Sequence, residues 1–157
     1  MATENIAKLL KQSGFFSDLD AGHIDWLARH ASDKRFDDGK LLARQGDRAD
    51  QFFLVIEGEL VVEVPALTGP SLTITRLGPG DIFGWSWLIE PYKWHFNGRA
   101  EESSRVLEFD GAAIMKHCQA DSTFGYELLR RFSGLMGVRL AAAQATMKEQ
   151  WAPGGLP

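Results

Sequence analysis

Cysteine is almost missing from this chain: Cys118 stands alone among 157 residues. It has no internal disulfide partner, and a structural zinc or an iron–sulfur cluster needs several further ligands, so iron–sulfur sensing is excluded. Long hydrophobic runs are missing as well. No apolar stretch reaches the 18 or so residues of a membrane helix, and no charged segment followed by an apolar core opens the chain, so a cytoplasmic protein with no membrane partner is expected. Positive charge is in deficit, with 17 Lys and Arg against 21 Asp and Glu for a net charge of −4. That balance disfavours nucleic acid as a partner, since phosphate contacts need clustered cations. The sequence carries no Gly-x-Ser-x-Gly, Walker loop or catalytic-cysteine setting, and no repeat or low-complexity tract.

What is present suits one compact domain over residues 1–157, because 45% apolar residues supply a core and 24% charged residues a solvated surface. Helices are expected within residues 1–33. Ile6, Leu9 and Leu10 follow helical spacing on residues 3–11, and Asp20 caps a second helix whose Ile24, Leu27, Ala28 and Ala31 share a face. His23 and His30 on this helix read as ordinary surface or interface residues. Between residues 34 and 110 the period changes to two, with short β-rich runs at 41–43, 51–56, 59–64, 71–77 and 105–110 separated by Gly, Asp and Pro turns. In the fourth run Leu72 and Ile74 alternate with Ser71, Thr73 and Thr75, which predicts one inward and one outward face. Phe52 to Ile56 is apolar throughout, as expected for a strand with a barrel interior on one side and helices on the other.

Residues 111–150 return to helical spacing. A short helix is expected at 111–117 and a long one at 121–150, capped by Asp121 or Ser122. Leu129, Phe132, Met136, Leu140, Ala143 and Met147 make an apolar seam larger than one small barrel needs, so a homodimer through helix 121–150 is expected. Gly125, Gly134 and Gly137 each weaken an isolated helix by up to about 1 kcal/mol, which predicts close packing against them. The tail 151–157, rich in Gly and Pro, ends the helix.

The most informative stretch is residues 78–100. Gly78-Pro79-Gly80-Asp81 reads as a tight turn, and between Gly84 and Pro91 there is room for one or two helical turns whose free N–H groups suit an anion. Taken with Asp38-Gly39-Lys40, Arg44-Gln45-Gly46-Asp47 and the run from Phe52 to Gly58, this stretch resembles the phosphate-binding cassette of cyclic nucleotide-binding domains. These are the sensor modules of catabolite-activator-type regulators and of cyclic-nucleotide-gated channels. The resemblance covers nearly the whole chain. It implies a mainly β fold with flanking helices: an eight-stranded jelly roll (double-stranded β-helix), N-terminal helices, and a long C-terminal helix that in relatives dimerises and closes over the ligand. Relatives that bind DNA carry a helix-turn-helix beyond this helix, and this sequence stops short of one, so sequence-specific DNA binding is not expected.

The family cassette normally reads Phe-Gly-Glu and, about ten residues later, Arg-Ser-Ala or Arg-Thr-Ala. Its glutamate binds the ribose hydroxyl and its arginine the cyclic phosphate. Here Phe83-Gly84 is followed by Trp85, and the arginine place falls on Trp94 or His95. Tight cAMP or cGMP binding is therefore not expected. The candidate site comprises Phe83, Gly84, Trp85, Ser86, Trp94, His95 and Phe96, with Arg99 as a replacement for the missing arginine. By resemblance the far wall is Val62, Ile74 and Thr75, with Gln144 from the long helix. No cofactor or metal is expected beyond the ligand itself, a cyclic nucleotide or another small anionic or aromatic molecule.

The resulting expectation is a non-catalytic small-ligand sensor or regulatory domain that signals to a protein effector. One alternative is a structural or protein-interaction module, in which Trp85, Trp87, Tyr92, Trp94 and Phe96 simply fill the pocket. A second is a cupin-like metalloenzyme, which needs two or three converging histidines and a carboxylate, typically including a His-x-His pair. The four histidines here are not so paired, and the enzyme reading is disfavoured.

Overall fold

The computed structural model describes residues 2–151, Trp151 without its side chain, so the expected tail lies, from residue 152 on, outside the described residues. Two helices lead, α1 (Thr3–Gln12) and α2 (Ala21–Arg29). Asp20 caps α2 by accepting the Gly22 N–H at 2.7 Å. Eight strands follow: β1 (Ala31–Phe36), β2 (Leu41–Ala43), β3 (Gln51–Glu57), β4 (Leu60–Val64), β5 (Leu72–Leu77), β6 (Ile82–Phe83), β7 (Asn97–Ala100) and β8 (Ser104–Asp110). They form two antiparallel four-stranded sheets, ordered β1-β8-β3-β6 and β2-β7-β4-β5, which face each other as a jelly roll. Helices α3 (Gly111–Ala120) and α4 (Ser122–Trp151) close the chain, and Asp121 caps α4 by accepting the Phe124 N–H at 3.1 Å.

Strand β3 divides the core in two, as its two-sided apolar run predicts. Phe52 and Leu54 look toward the helices, into a cluster with Phe16, Ile24, Leu27, Phe109, Phe124, Leu128 and Phe132. Phe53 and Val55 look into the barrel, with Leu60, Val62, Phe83, Trp94, Ala100 and Val106. Each such fully buried side chain contributes about 1.5–3 kcal/mol of transfer free energy, which is why the helices and the barrel hold together along this strand. Arg131 of α4 adds a polar tie. It donates to the Phe15 carbonyl at 3.1 Å and to Glu127 at 2.8 and 2.9 Å, and it pairs with Asp18.

Strands β1 and β6 were not foreseen. The first begins at Ala31, inside the stretch expected to be helical, because its side chains are mostly exposed and no apolar alternation marks it. It is an edge strand, held by backbone pairing to β8 and by Arg105 on Asp33 at 2.9 Å. The expected alternation of 71–77 is also interrupted. Thr75 pairs with Val62 and Thr73 with Glu63, so Ile74 falls at a bulge between them.

The seam expected on the long helix splits into two. Phe132 is fully buried against the barrel side, whereas Leu129, Leu140 and Met147 are exposed. Of the three glycines, Gly125 meets a close neighbour: a methyl group there would sit 2.8 Å from the Cys118 carbonyl oxygen of α3. Gly134 and Gly137 have nothing within 4 Å, so the close packing expected at them is absent; both lie on the solvent side of α4. His23, His30 and His117 gather around Trp26 and Phe124, with Trp26 stacked between His30 and His117 at centroid distances of 3.8 and 3.9 Å.

Candidate functional site

The cassette starts from a turn that local chemistry dictates. Gly80 takes φ 91°, the Asp81 N–H donates to the Gly78 carbonyl, and the Asp81 carboxylate accepts the Gly78 N–H at 2.9 Å. The Val55 N–H then donates to the Asp81 carbonyl and the Val55 carbonyl accepts the Gly80 N–H, which delivers Ile82 and Phe83 to the edge of β3 as β6. Gly84 follows at φ 111°, a conformation only glycine adopts without strain. Beyond it comes a single 3-10 turn over Ser86–Leu88, shorter than the one or two α-helical turns expected.

The interior of the cassette is occupied by rings. Trp94, one of the two residues on which the family's arginine place falls, is 5% exposed and stacks on Phe83 with centroids 5.3 Å apart. Backbone bonds pin it there: its carbonyl accepts from Gly46 at 3.0 Å and its N–H donates to Asp47 at 2.9 Å. A methyl group at Gly84 would lie 3.0 Å from the Trp94 ring, and one at Gly98 would lie 2.7 Å from the Phe83 ring. Both glycines are therefore spaces into which the aromatics fit. The remaining cavity, lined by Val62, Phe83, Gly84, Trp85, Ser86, Trp94, Phe96 and Arg139, holds about 10 Å³, room for one water at most.

Polar groups at this cavity are few. The buried Ser86 Oγ lies 3.0 Å from Nδ1 of His95, whose exposed ring stacks on Trp85 at 4.6 Å. The other polar group, Arg139, comes from α4 and was not foreseen, because nothing in a helical arginine at solvent-like spacing marks it as buried. It is 8% exposed and donates through Nη2 to the Ile82 carbonyl. Burial holds its pKa below the ordinary arginine value, opposed only by the more distant Asp81 carboxylate.

The remaining named residues do not converge. Arg99 sits on β7, where Gly98 and Ala100 face the core and Arg99 faces the other way. Its guanidinium is committed to Glu63 at 2.6 Å and Glu101 at 3.0 Å, and the Glu63 hydrogen bond raises its pKa. Thr75 pairs with Val62 and Ile74 packs at the barrel core, but neither borders the cavity, and Gln144 is exposed on α4. A roomier hollow of about 260 Å³ lies elsewhere, on the far side of Trp87, bordered by Arg48, Asp50, Tyr92 and Lys116. It is an open surface depression; the Trp87 indole N–H beside it is buried without an acceptor among the described residues. Nor do the described residues group three His, Cys, Asp or Glu side chains as metal ligands would be.

A jelly roll with leading helices, a glycine turn feeding a cassette, and a long helix after them define one class of fold. A model of the cyclic nucleotide-binding domain matches residues 33–121, more than half of the chain, and this chain belongs to that family. The chain is 36% identical over 109 residues, 69% of its length, to the uncharacterized protein Rv0104 of Mycobacterium tuberculosis. It spans only 20% of that relative. It is 21% identical over 123 residues, 78% of its length and 55% of the other, to the CRP-like cAMP-activated global transcriptional regulator of the same species. Among solved structures, a cyclic nucleotide-binding domain from Methylobacillus flagellatus KT superimposes with a TM-score of 0.76 at 19% identity, covering 99% of this chain and 85% of that one. No helix among the described residues is long and apolar enough to cross a membrane.

Proposed function

We propose that this domain is a non-catalytic small-ligand sensor or regulatory module that does not bind cAMP or cGMP tightly. The observation that carries the reading is Trp94, buried in the cassette and stacked on Phe83, with about 10 Å³ left beside it. Ligand pockets of ordinary kind run to roughly 300–1,000 Å³, so a cyclic nucleotide requires the rings to leave. Its binding also lacks two charged partners. Trp85 stands in the glutamate place, and Arg99, which would have to serve as the arginine, is held by Glu63 and Glu101. Hydrogen bonds to charged groups contribute about 1.5–3 kcal/mol each, so their loss removes about 3–6 kcal/mol. At about 1.4 kcal/mol per tenfold, a micromolar site weakens about 10²- to 10⁴-fold, into the range around millimolar.

The module works as a cytoplasmic homodimer in this proposal, joined by the outer face of α4, where Leu129, Leu140 and Met147 are exposed, and it passes its state to a protein effector. Sedimentation at tens of micromolar tests the dimer, with Leu140→Glu expected to yield monomer. Titration calorimetry with cAMP and cGMP tests the ligand reading. The expected result is no heat at micromolar concentrations; micromolar binding of either nucleotide sinks it. A second reading, a purely structural module, draws on the same small cavity and differs in having no ligand at all.

A further inference from the structure

The hollow beyond Trp87 brings together room, spare cationic donors and an unsatisfied buried donor. It holds about 260 Å³ beside the 3-10 turn and α3, against about 10 Å³ in the cassette cavity, and Ala49, Ala112 and Met115 give it apolar walls. Trp87, which also lines it, is 4% exposed, and its indole N–H has no acceptor among the described residues, an arrangement that costs stability until an acceptor arrives. Arg48 and Lys116 stand at the rim. The Arg48 Nε donates to Asp50 at 2.7 Å, which orients the guanidinium and leaves both Nη groups without an acceptor among the described residues; Lys116 has no ion-pair partner there either. Tyr92 completes the rim at φ 58°, the one positive φ among the described non-glycine residues and a region that glycine enters freely. Two backbone bonds of 2.8 Å, its N–H to the Ile89 carbonyl and the Ala49 N–H to its own carbonyl, hold it there. A glycine would serve that backbone without strain, so the ring is what Tyr92 adds to the hollow. Other hollows lack this combination: one of about 330 Å³ is bordered by Asp50, Glu108 and Asp110, and one of about 240 Å³ beside α1 has no charged residue on its walls.

We propose that this hollow is a ligand site separate from the cassette, taking a small monocarboxylate whose head is shared by Arg48, Lys116 and the Trp87 indole N–H and whose apolar body rests on Ala112, Met115 and Tyr92. The site goes beyond the sensor reading and does not depend on what the cassette binds. A carboxylate has about four acceptor positions for these donors, and bonds between ionised partners are the strong ones. Charge selects a monoanion: Arg48 and Lys116 against Asp50 leave one positive charge at the rim, which one carboxylate neutralises and a phosphate dianion overshoots. Volume selects a small body. The hollow falls just below the roughly 300–1,000 Å³ of ordinary ligand pockets, so it admits about one ring or a short chain.

The test uses the full chain with phenylacetate and 3-phenylpropionate as probes and phenylacetamide as the uncharged control, followed by amide and indole N–H NMR shifts. Both carboxylates are expected to shift the Trp87 indole, Ala49, Tyr92 and Ala112 signals in a saturable way, to leave Val62 and Arg139 at the cassette cavity unmoved, and to bind at least about tenfold more tightly than the amide. Three variants at exposed positions probe the site without touching the core. Arg48→Gln and Lys116→Gln are each expected to weaken binding about three- to tenfold, and Ala112→Leu, which fills the hollow, to abolish it. No saturable shift up to about 20 mM of either carboxylate overturns the proposal. So does equal binding of the amide, a saturable response confined to Val62 and Arg139, or unaltered binding in the Ala112→Leu chain.

Discussion

Two arginines two helical turns apart on α4 have opposite fates. Burial works against the charge of Arg131, but the hydrogen bonds it donates to Glu127 and Asp18 outweigh it and its pKa is raised. Burial works more strongly against Arg139, nothing comparable answers it, and its pKa is lowered. The inner face of the helix changes character between them. Up to Phe132 it is apolar, with Phe124, Leu128 and Phe132 almost wholly buried; beyond it the buried residues are the polar Arg139 and Thr146, while Val138, Leu140 and Met147 on the outer face are exposed. A buried charge with its partners fastens two elements together, whereas a buried charge without them costs stability.

The largest expected effect tests the fastened half. Phe132→Ala empties a fully buried ring site beside Phe52 and Trp87 and should lower the unfolding free energy by about 3–5 kcal/mol in urea titration. Next come the two arginines themselves. Arg131→Ala leaves Glu127 and the Phe15 carbonyl without their donor and should destabilise by about 1–3 kcal/mol, discounted because Asp18 is largely exposed. Arg139→Met should be neutral or stabilising by about 1 kcal/mol, because it removes an unpaired buried charge and keeps the volume. Equal losses from both would erase the distinction between them. The smallest pair concerns glycine. Gly125→Ala pushes a methyl group to 2.8 Å from the Cys118 carbonyl and should destabilise by about 1–3 kcal/mol. Gly134→Ala enters open space on an exposed helix and should stabilise by about 0.5–1 kcal/mol; a loss there would reveal a partner packed on the outer face.

Local chemistry was legible wherever a residue's role depends on its near neighbours in sequence. The glycine turn at 78–81, the Asp20 and Asp121 caps, and the change of period that announces a barrel between helices all depend on contacts within a few residues, and the fold class follows from them. So does the double-faced strand β3. Strand β1 was hidden because an exposed edge needs no apolar pattern, and nothing local showed that Gly98 is small to admit the Phe83 ring from another strand. The same limit governed the candidate site. The sequence by itself determined that the family's glutamate and arginine places hold Trp85 and aromatic or imidazole rings. Only the tertiary structure decided that Arg99 faces Glu63 and Glu101 while Arg139, forty residues further on, faces the cassette. Whether a charge is paired depends on which distant element comes to lie against it, and spacing along one chain carries no record of that.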